Sequence, residues 1–114
     1  MEITMARGDL QAQQFTVTED GHAPEPFDNI WFTVKRNATD RNPLIQKKLS
    51  DDTIYETEKA GTFEFVIEPE DTNSMAFGAY KFDIELFRDG SLKRTFTGVL
   101  TLTEEVTHYY NEGV

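Results

Sequence analysis

The chain has 114 residues, with 11 Lys and Arg against 21 Asp and Glu, a formal charge of −10 and no Cys. That length fits one domain, residues 1–114, and the absence of Cys excludes disulfides, thiolate metal sites and Cys nucleophiles. The acidity disfavours nucleic acid and anionic membrane surfaces as partners, and no stretch approaches the ~20 apolar residues of a membrane span.

Met1 to Leu10 carries no apolar run, which predicts no signal peptide. Met1 to Asp9 is expected to be mobile or docked onto a partner, as is His108 to Val114. Arg7-Gly8-Asp9 spells an integrin-binding tripeptide, but so short a motif arises easily by chance. A Gly-containing turn before the first strand accounts for it.

From Gln11 onward, period-two alternation dominates. Gln11 to Thr18 reads as a strand with Phe15 and Val17 on one face. Gly21 to Pro26 is a loop, broken by two prolines and a glycine. Ile30 to Lys35 is the next strand, with Ile30, Phe32 and Val34 to one side. Asn37 to Pro43 is a polar connection; its Asn37-Ala38-Thr39 fits the N-glycosylation pattern and reads as a loop. Leu44 to Leu49 and Thr53 to Thr57 are shorter strands. Thr62 to Glu68 alternates, with Phe63, Phe65 and Ile67 facing one way. Asp71 or Thr72 is placed to cap a single helical turn after Pro69. Tyr80 to Phe87 alternates again, with Tyr80, Phe82, Ile84 and Leu86 set against Lys81, Asp83, Glu85 and Phe87. Phe96, Leu100 and Leu102 continue the pattern in the last strand.

One apolar and one mainly polar face per strand predict antiparallel sheets packed on a core. About seven such strands predict an all-β immunoglobulin-like antiparallel β-sandwich. Its expected core is Phe15, Val17, Ile30, Phe32, Val34, Phe63, Phe65, Ile67, Tyr80, Phe82, Ile84, Leu86, Phe96 and Leu100. In such domains a Tyr near the start of the sixth strand bonds back to the preceding corner, two residues before a core Cys. Tyr80 fits that place, with Phe82 in the Cys position.

The hairpin at Arg88-Asp89-Gly90 has a register problem. A two-residue turn puts Leu86 opposite Lys93 and Phe82 opposite Thr97, an apolar face against a polar one. A three-residue loop puts Leu86 opposite Leu92 and Phe82 opposite Phe96. This predicts a type I turn with Gly90 left-handed in a G1 bulge. Arg94 then falls on the inner side, and it must reach the rim or be turned out by a second bulge.

Chemistry is scarce. His22 and His108 have no neighbouring second ligand, and zinc needs three or four. Asp51-Asp52, Glu68-Glu70-Asp71 and Glu104-Glu105 are oxygen donors of the kind calcium takes, without the spaced calcium loop. Paired carboxylates serve glycoside hydrolysis, but acidic residues are too common here to discriminate. There is no nucleophile elbow and no phosphate-cradling glycine loop. The sequence therefore predicts no enzyme, no cofactor and no metal site.

Several stretches taken in order resemble a family of small proteins and N-terminal domains from tailed phages and prophages of Gram-positive hosts. They are Arg7-Gly8-Asp9, Phe32-Thr33-Val34-Lys35, Glu68-Pro69-Glu70-Asp71-Thr72, Gly78 to Leu86, Asp89-Gly90, and Gly98 to Leu102 with Thr103 to Thr107. The resemblance is to the N-terminal immunoglobulin-like domain of baseplate upper proteins. It implies a non-enzymatic virion structural or assembly protein of baseplate, tail or head. Such a protein resides in the virion, or in the host cytoplasm during assembly. The partners implied are other virion proteins or further copies of the chain.

Parity supplies a candidate interface. If Ile30, Phe32, Val34 and Leu86 point inward, Trp31, Thr33 and Phe87 point outward, and Thr97 and Val99 do so in the last strand. These strands share a sheet in an immunoglobulin-like sandwich. Trp31, Thr33, Phe87, Thr97 and Val99 are therefore the expected contact residues. The alternative is a carbohydrate- or cell-surface-binding module, for which Trp31 is the candidate aromatic; fold alone does not decide between them.

Overall fold

Alternation of apolar and polar side chains builds two sheets, described here from a computed structural model for residues 1–104. Glu105 and the segment 108–114 with His108 lie outside the described residues. The strands are β1 (Glu2–Ala6), β2 (Gln11–Thr16), β3 (Asn29–Lys35), β4 (Ile45–Lys48), β5 (Ile54–Glu56), β6 (Thr62–Ile67), β7 (Gly78–Arg88) and β8 (Ser91–Thr103). A 3-10 turn at Leu49–Asp51 comes after β4, and one short α-helix, α1 (Pro69–Thr72), comes after β6. The larger sheet has the order β1-β8-β7-β3-β4 and the smaller β2-β6-β5. Two facing sheets in this order form an immunoglobulin-like sandwich.

The inward faces meet in one core. Ile30, Phe32, Val34, Phe65, Ile67, Ile84, Leu86 and Leu100 are completely buried. Phe32 stacks on Phe65 across the sheets at 4.1 Å between ring centroids and lies 5.3 Å from Phe82. These three rings occupy the middle of the sandwich, where antibody domains place a Trp against a disulfide. Thirteen of the fourteen expected core residues are buried; Phe96 is half-buried and packs against the cluster's rim. Ile3, Met5, Ile45, Ile54, Met75 and Leu102 complete the core.

Three expectations need correction. Glu2–Ala6 is a strand, paired in parallel with β8, so there are eight strands among the described residues and one pairing is not antiparallel. Ile3 and Met5 bury against the core, and this burial holds the N-terminal segment in place. Arg7-Gly8-Asp9 consequently lies after the first strand. The Gly8 N–H donates to the buried Thr72 hydroxyl at 2.8 Å, and the Arg7 guanidinium lies over the Phe77 ring.

The second correction is the helix cap. Glu68 is the N-cap, and the Asp71 carboxylate reaches back to accept the Glu68 N–H at 2.7 Å. The same carboxylate pairs with the buried Lys47 at 2.7 Å, tying α1 to β4.

The third is the β7–β8 hairpin. Arg88 pairs with Ser91, so the loop is the two-residue Asp89-Gly90. Both residues have positive φ, 55° and 74°, as a type I′ turn requires. Phe87 pairs with Leu92, then a bulge leaves Lys93 unpaired and sets Leu86 opposite Arg94 and Ile84 opposite Phe96. The bulge, placed in β8 and not in the turn, returns Phe96 and Leu100 to the inner side. Arg94 reaches the rim, as the register demands, where it donates to the Thr18 carbonyl.

Tyr80 does close the corner: its hydroxyl donates to the Ala76 carbonyl at 2.6 Å, with Phe82 buried two residues on.

Candidate functional site

The outer face of the five-stranded sheet collects the expected contact residues. β3 contributes Trp31 and Thr33, β7 Phe87, and β8 Thr97 and Val99, on three adjacent strands. Trp31 and Phe87 are half-buried, Thr33 is buried, and Thr97 and Val99 are exposed. The Trp31 and Phe87 rings pack tilted at 5.0 Å. The Lys48 ammonium, from β4, sits 5.0 Å from the Trp31 ring centroid. Trp31 is thus held by neighbours on both flanking strands.

The hairpin register adds a residue that sequence parity did not assign. Leu92 stands opposite Phe87, hence on the same outer face, and is 48% exposed. Leu92, Phe87 and Trp31 form an apolar strip running from the hairpin towards the middle of the sheet.

Beyond Trp31 the face becomes a groove of about 520 Å³. Its floor includes Thr33, Asp83, Glu85 and Thr97, and one wall is Ala38, Arg41 and Pro43 from the β3–β4 connection. That connection is shaped locally: Asn37 N–H donates to the Asp40 carboxylate, Asp40 N–H to the Asn37 carbonyl, and Leu44 N–H returns to the Val34 carbonyl. The loop reading of Asn37-Ala38-Thr39 matches this turn. In the floor, Gln46 Nε2 donates to Thr33 Oγ1 at 3.2 Å.

Asp83 and Glu85 are the unexpected members. Their register places them beside the contact residues: Glu85 opposite Trp31 and Asp83 opposite Thr33 on one side, Asp83 opposite Thr97 on the other. The signal was present in the sequence, since both lie on the Phe87 side of the β7 alternation. Asp83 Oδ1 and Trp31 Nε1 are buried and have no hydrogen-bond partner among the described residues. Burial pushes the Asp83 carboxyl above the ordinary carboxylate range, against the pull of Lys35. Glu85 rises for the same reason, reinforced by the Asp83 charge.

The other acidic groups have local duties. Asp51 accepts from the Thr53 backbone and hydroxyl, which lowers its pKa. Arg88 grips the Glu19 carboxylate with two donors, at 2.7 and 3.2 Å, and reaches the Pro26 and Glu25 carbonyls. This clamp fastens the Gly21–Pro26 loop to the hairpin. Among the described residues no three His, Asp or Glu side chains converge as a metal would need.

No protein-family model matches the chain. No curated protein matches it either. Among solved structures it is similar to the NK cell receptor Nkp44, described as a triggering partner in natural cytotoxicity. The TM-score is 0.56 and the identity 14%, over 90% of this chain and 96% of that one. At that identity the likeness is one of fold, and it is the all-β immunoglobulin-like sandwich.

Proposed function

We propose that this chain is a non-enzymatic structural or assembly protein of a phage or prophage virion, in baseplate, tail or head, acting through protein–protein contacts. The contact surface is the outer face of the five-stranded sheet, and the partner is another virion protein or a second copy. One observation carries the choice of face: Leu92, Phe87 and Trp31 are contiguous there, and Leu92 is 48% exposed. Contiguous apolar patches mark contact surfaces where scattered residues do not, and Trp is enriched among the residues that dominate interface energies. Thr97 and Val99 extend the exposed face beside the charged Asp83 and Glu85, with Thr33 buried beneath. The virion setting comes from the sequence resemblance.

The test is Leu92→Ser, Phe87→Ser and Trp31→Ala, each studied by light scattering and by incorporation into particles. The proposal expects a native fold with lost assembly for Leu92→Ser, whose side chain contributes least to the core. Normal incorporation of all three variants would remove this face from the contact.

A further inference from the structure

Strand β8 is longer than the strand that covers its edge. β1 pairs only with Val99 to Thr103, so Ser91 to Thr97 has β7 on one side and, among the described residues, no strand on the other. The direction of the free groups follows from alternation along the ladder. Val99 N–H donates to the Met1 carbonyl, towards β1. The pairing with β7 runs unbroken from Thr95 to Val99. Thr95 and Thr97 therefore point their N–H and C=O groups the same way as Val99, out into solvent, and both residues are exposed. Such an edge is a template for one more strand.

Below this edge the two sheets part. A cleft of about 370 Å³ opens between β8 and β2, with Met1, Phe15, Thr16 and Phe96 among its walls. Met1 is 46% exposed and Phe96 half-buried, so apolar surface is within reach from outside. Residues directly opposite on paired strands share a face. A strand bonded to Thr95 and Thr97 sets one residue opposite Phe96, and that side chain points into the cleft. Two places along the same face, the added strand meets Arg94, with Lys93 next to it. Ser91 to Thr97 carries these two cations and no carboxylate, in a chain of −10. Glu19, which feels the Arg94 charge, is already gripped by Arg88. The residues opposite Thr95 and Thr97 face the outer side near Glu85 and Asp83, which disfavours negative charge at those two places alone. The Met1 carbonyl, bonded to Val99 N–H, closes the site beyond Thr97.

We infer that the free edge of β8 takes up an extended, acidic segment of a partner protein as an added strand. One large apolar side chain of that segment fills the cleft, and its carboxylates meet Arg94 and Lys93. A second copy pairing through the same edge would bring two more cations against these two, and like charges on opposed strands destabilise the pairing. Bulges and Lys residues keep an edge from pairing indiscriminately; the bulged Lys93 here selects by charge. The inference concerns the sheet's edge and stands apart from the assembly reading, which rests on the sheet's outer face.

The probes are the peptide acetyl-Thr-Phe-Thr-Glu-Glu-amide and its reversed sequence, which suit antiparallel and parallel addition respectively. Each is titrated into the full chain at low salt and followed by amide NMR. The expected result is saturable binding of at least one, with a Kd of about 1 mM or below and shifts centred on Thr95 to Thr97. At roughly ten times the Kd, exchange of the Thr95 and Thr97 amides should slow about tenfold. Replacing the peptide's Phe by Ser, or both its Glu by Lys, should weaken binding at least about tenfold. Thr95→Pro removes an outward N–H, which an edge strand tolerates, and should abolish binding while keeping the parent's circular dichroism. Peptides N-methylated at the residues whose amides would face β8 make the same test on the unaltered protein, so the result stands even where the Pro variant unfolds. Trp31→Ala should bind the peptides as the parent does, whatever its incorporation into particles, which separates the two readings. No saturable binding, shifts centred on Trp31 and Phe87, binding unaffected by the N-methyl groups, or a dimer of the free chain that Thr95→Pro dissolves would each overturn the inference.

Discussion

Phe87 stands directly opposite Leu92 across the β7–β8 pair, while its neighbour Leu86 stands opposite Arg94. Lys93 is therefore extra, and it reconciles two demands. The Asp89-Gly90 turn fixes a register in which an unbroken ladder would send Phe96 and Leu100 outward. One bulged residue restores the inward set while leaving Leu92 on the outer face. Deleting Lys93 should then remove the bulge and keep every other pair, with a urea midpoint close to the parent's. Deleting Thr97, in the unbroken ladder, should slip the register by one residue, reverse the faces on one side of the deletion and prevent folding. Equal damage from both deletions would show that the bulge is not a dispensable insertion.

Much of this was legible because alternation is a local signal. β3, β6 and β7 carry three or four inward apolar residues each, and their faces emerge from parity alone. β1 was not legible: Glu2–Ala6 presents two apolar residues, and its partner β8 lies at the far end of the described chain. β5 has one buried residue, Ile54, yet the expected strand Thr53 to Thr57 contains it, because turn residues bound it on the N-terminal side. The hairpin failed because the turn and the core each allow a consistent register, and only a bulge satisfies both. The outward set of Trp31, Thr33, Phe87, Thr97 and Val99 was readable from parity. The burial of Asp83 was not, since it depends on how the sheet and the residues around it pack in three dimensions.

Gly98 is the residue directly opposite Phe82. A methyl group there would overlap both the Phe82 ring and the Met1 carbonyl oxygen that accepts from Val99 N–H. The Phe82 ring lies on the bare backbone, and β1 closes over the same spot. Gly98→Ala should cost ~1–3 kcal/mol as an overpacking change. It should also speed amide exchange in Ile3 to Met5 more than in β3. Unchanged stability with unchanged exchange would mean that the contact yields freely.

The Tyr80 hydroxyl donates to the Ala76 carbonyl from a ring that is 3% exposed. Tyr80→Phe keeps the ring and removes the donor, leaving a carbonyl at the corner without its partner. The expected loss is about 0.5–1.5 kcal/mol, read from chemical denaturation. Tyr80→Ala should cost far more, because it also empties core volume. A neutral Tyr80→Phe would assign the corner's stability to packing alone.

Asp83 sets a pH dependence whose sign is fixed by its surroundings. Burial raises its pKa above the ordinary 3.8, with Lys35 offsetting only part of the shift. The folded chain therefore binds this proton more tightly than the unfolded chain does. Between the ordinary value and the raised one, folding takes up protons, so stability falls as pH rises through that window and stays lower above it. Asp83→Asn removes the charge and with it this contribution, and it also relieves Glu85, whose pKa the Asp83 charge helps to raise. The variant should be more stable than the parent near neutral pH. The advantage should shrink towards zero below about pH 3.9, where the parent's carboxyl is protonated in both states. Glu19 moves the other way, since its bonds to Arg88 lower its pKa and its contribution is lost as pH falls. The comparison must therefore be made between variant and parent at each pH, where the Glu19 effect cancels. An Asp83→Asn variant less stable than its parent at neutral pH, or an advantage that grows on acidification, would show that the carboxylate is well solvated or paired and that burial does not control it.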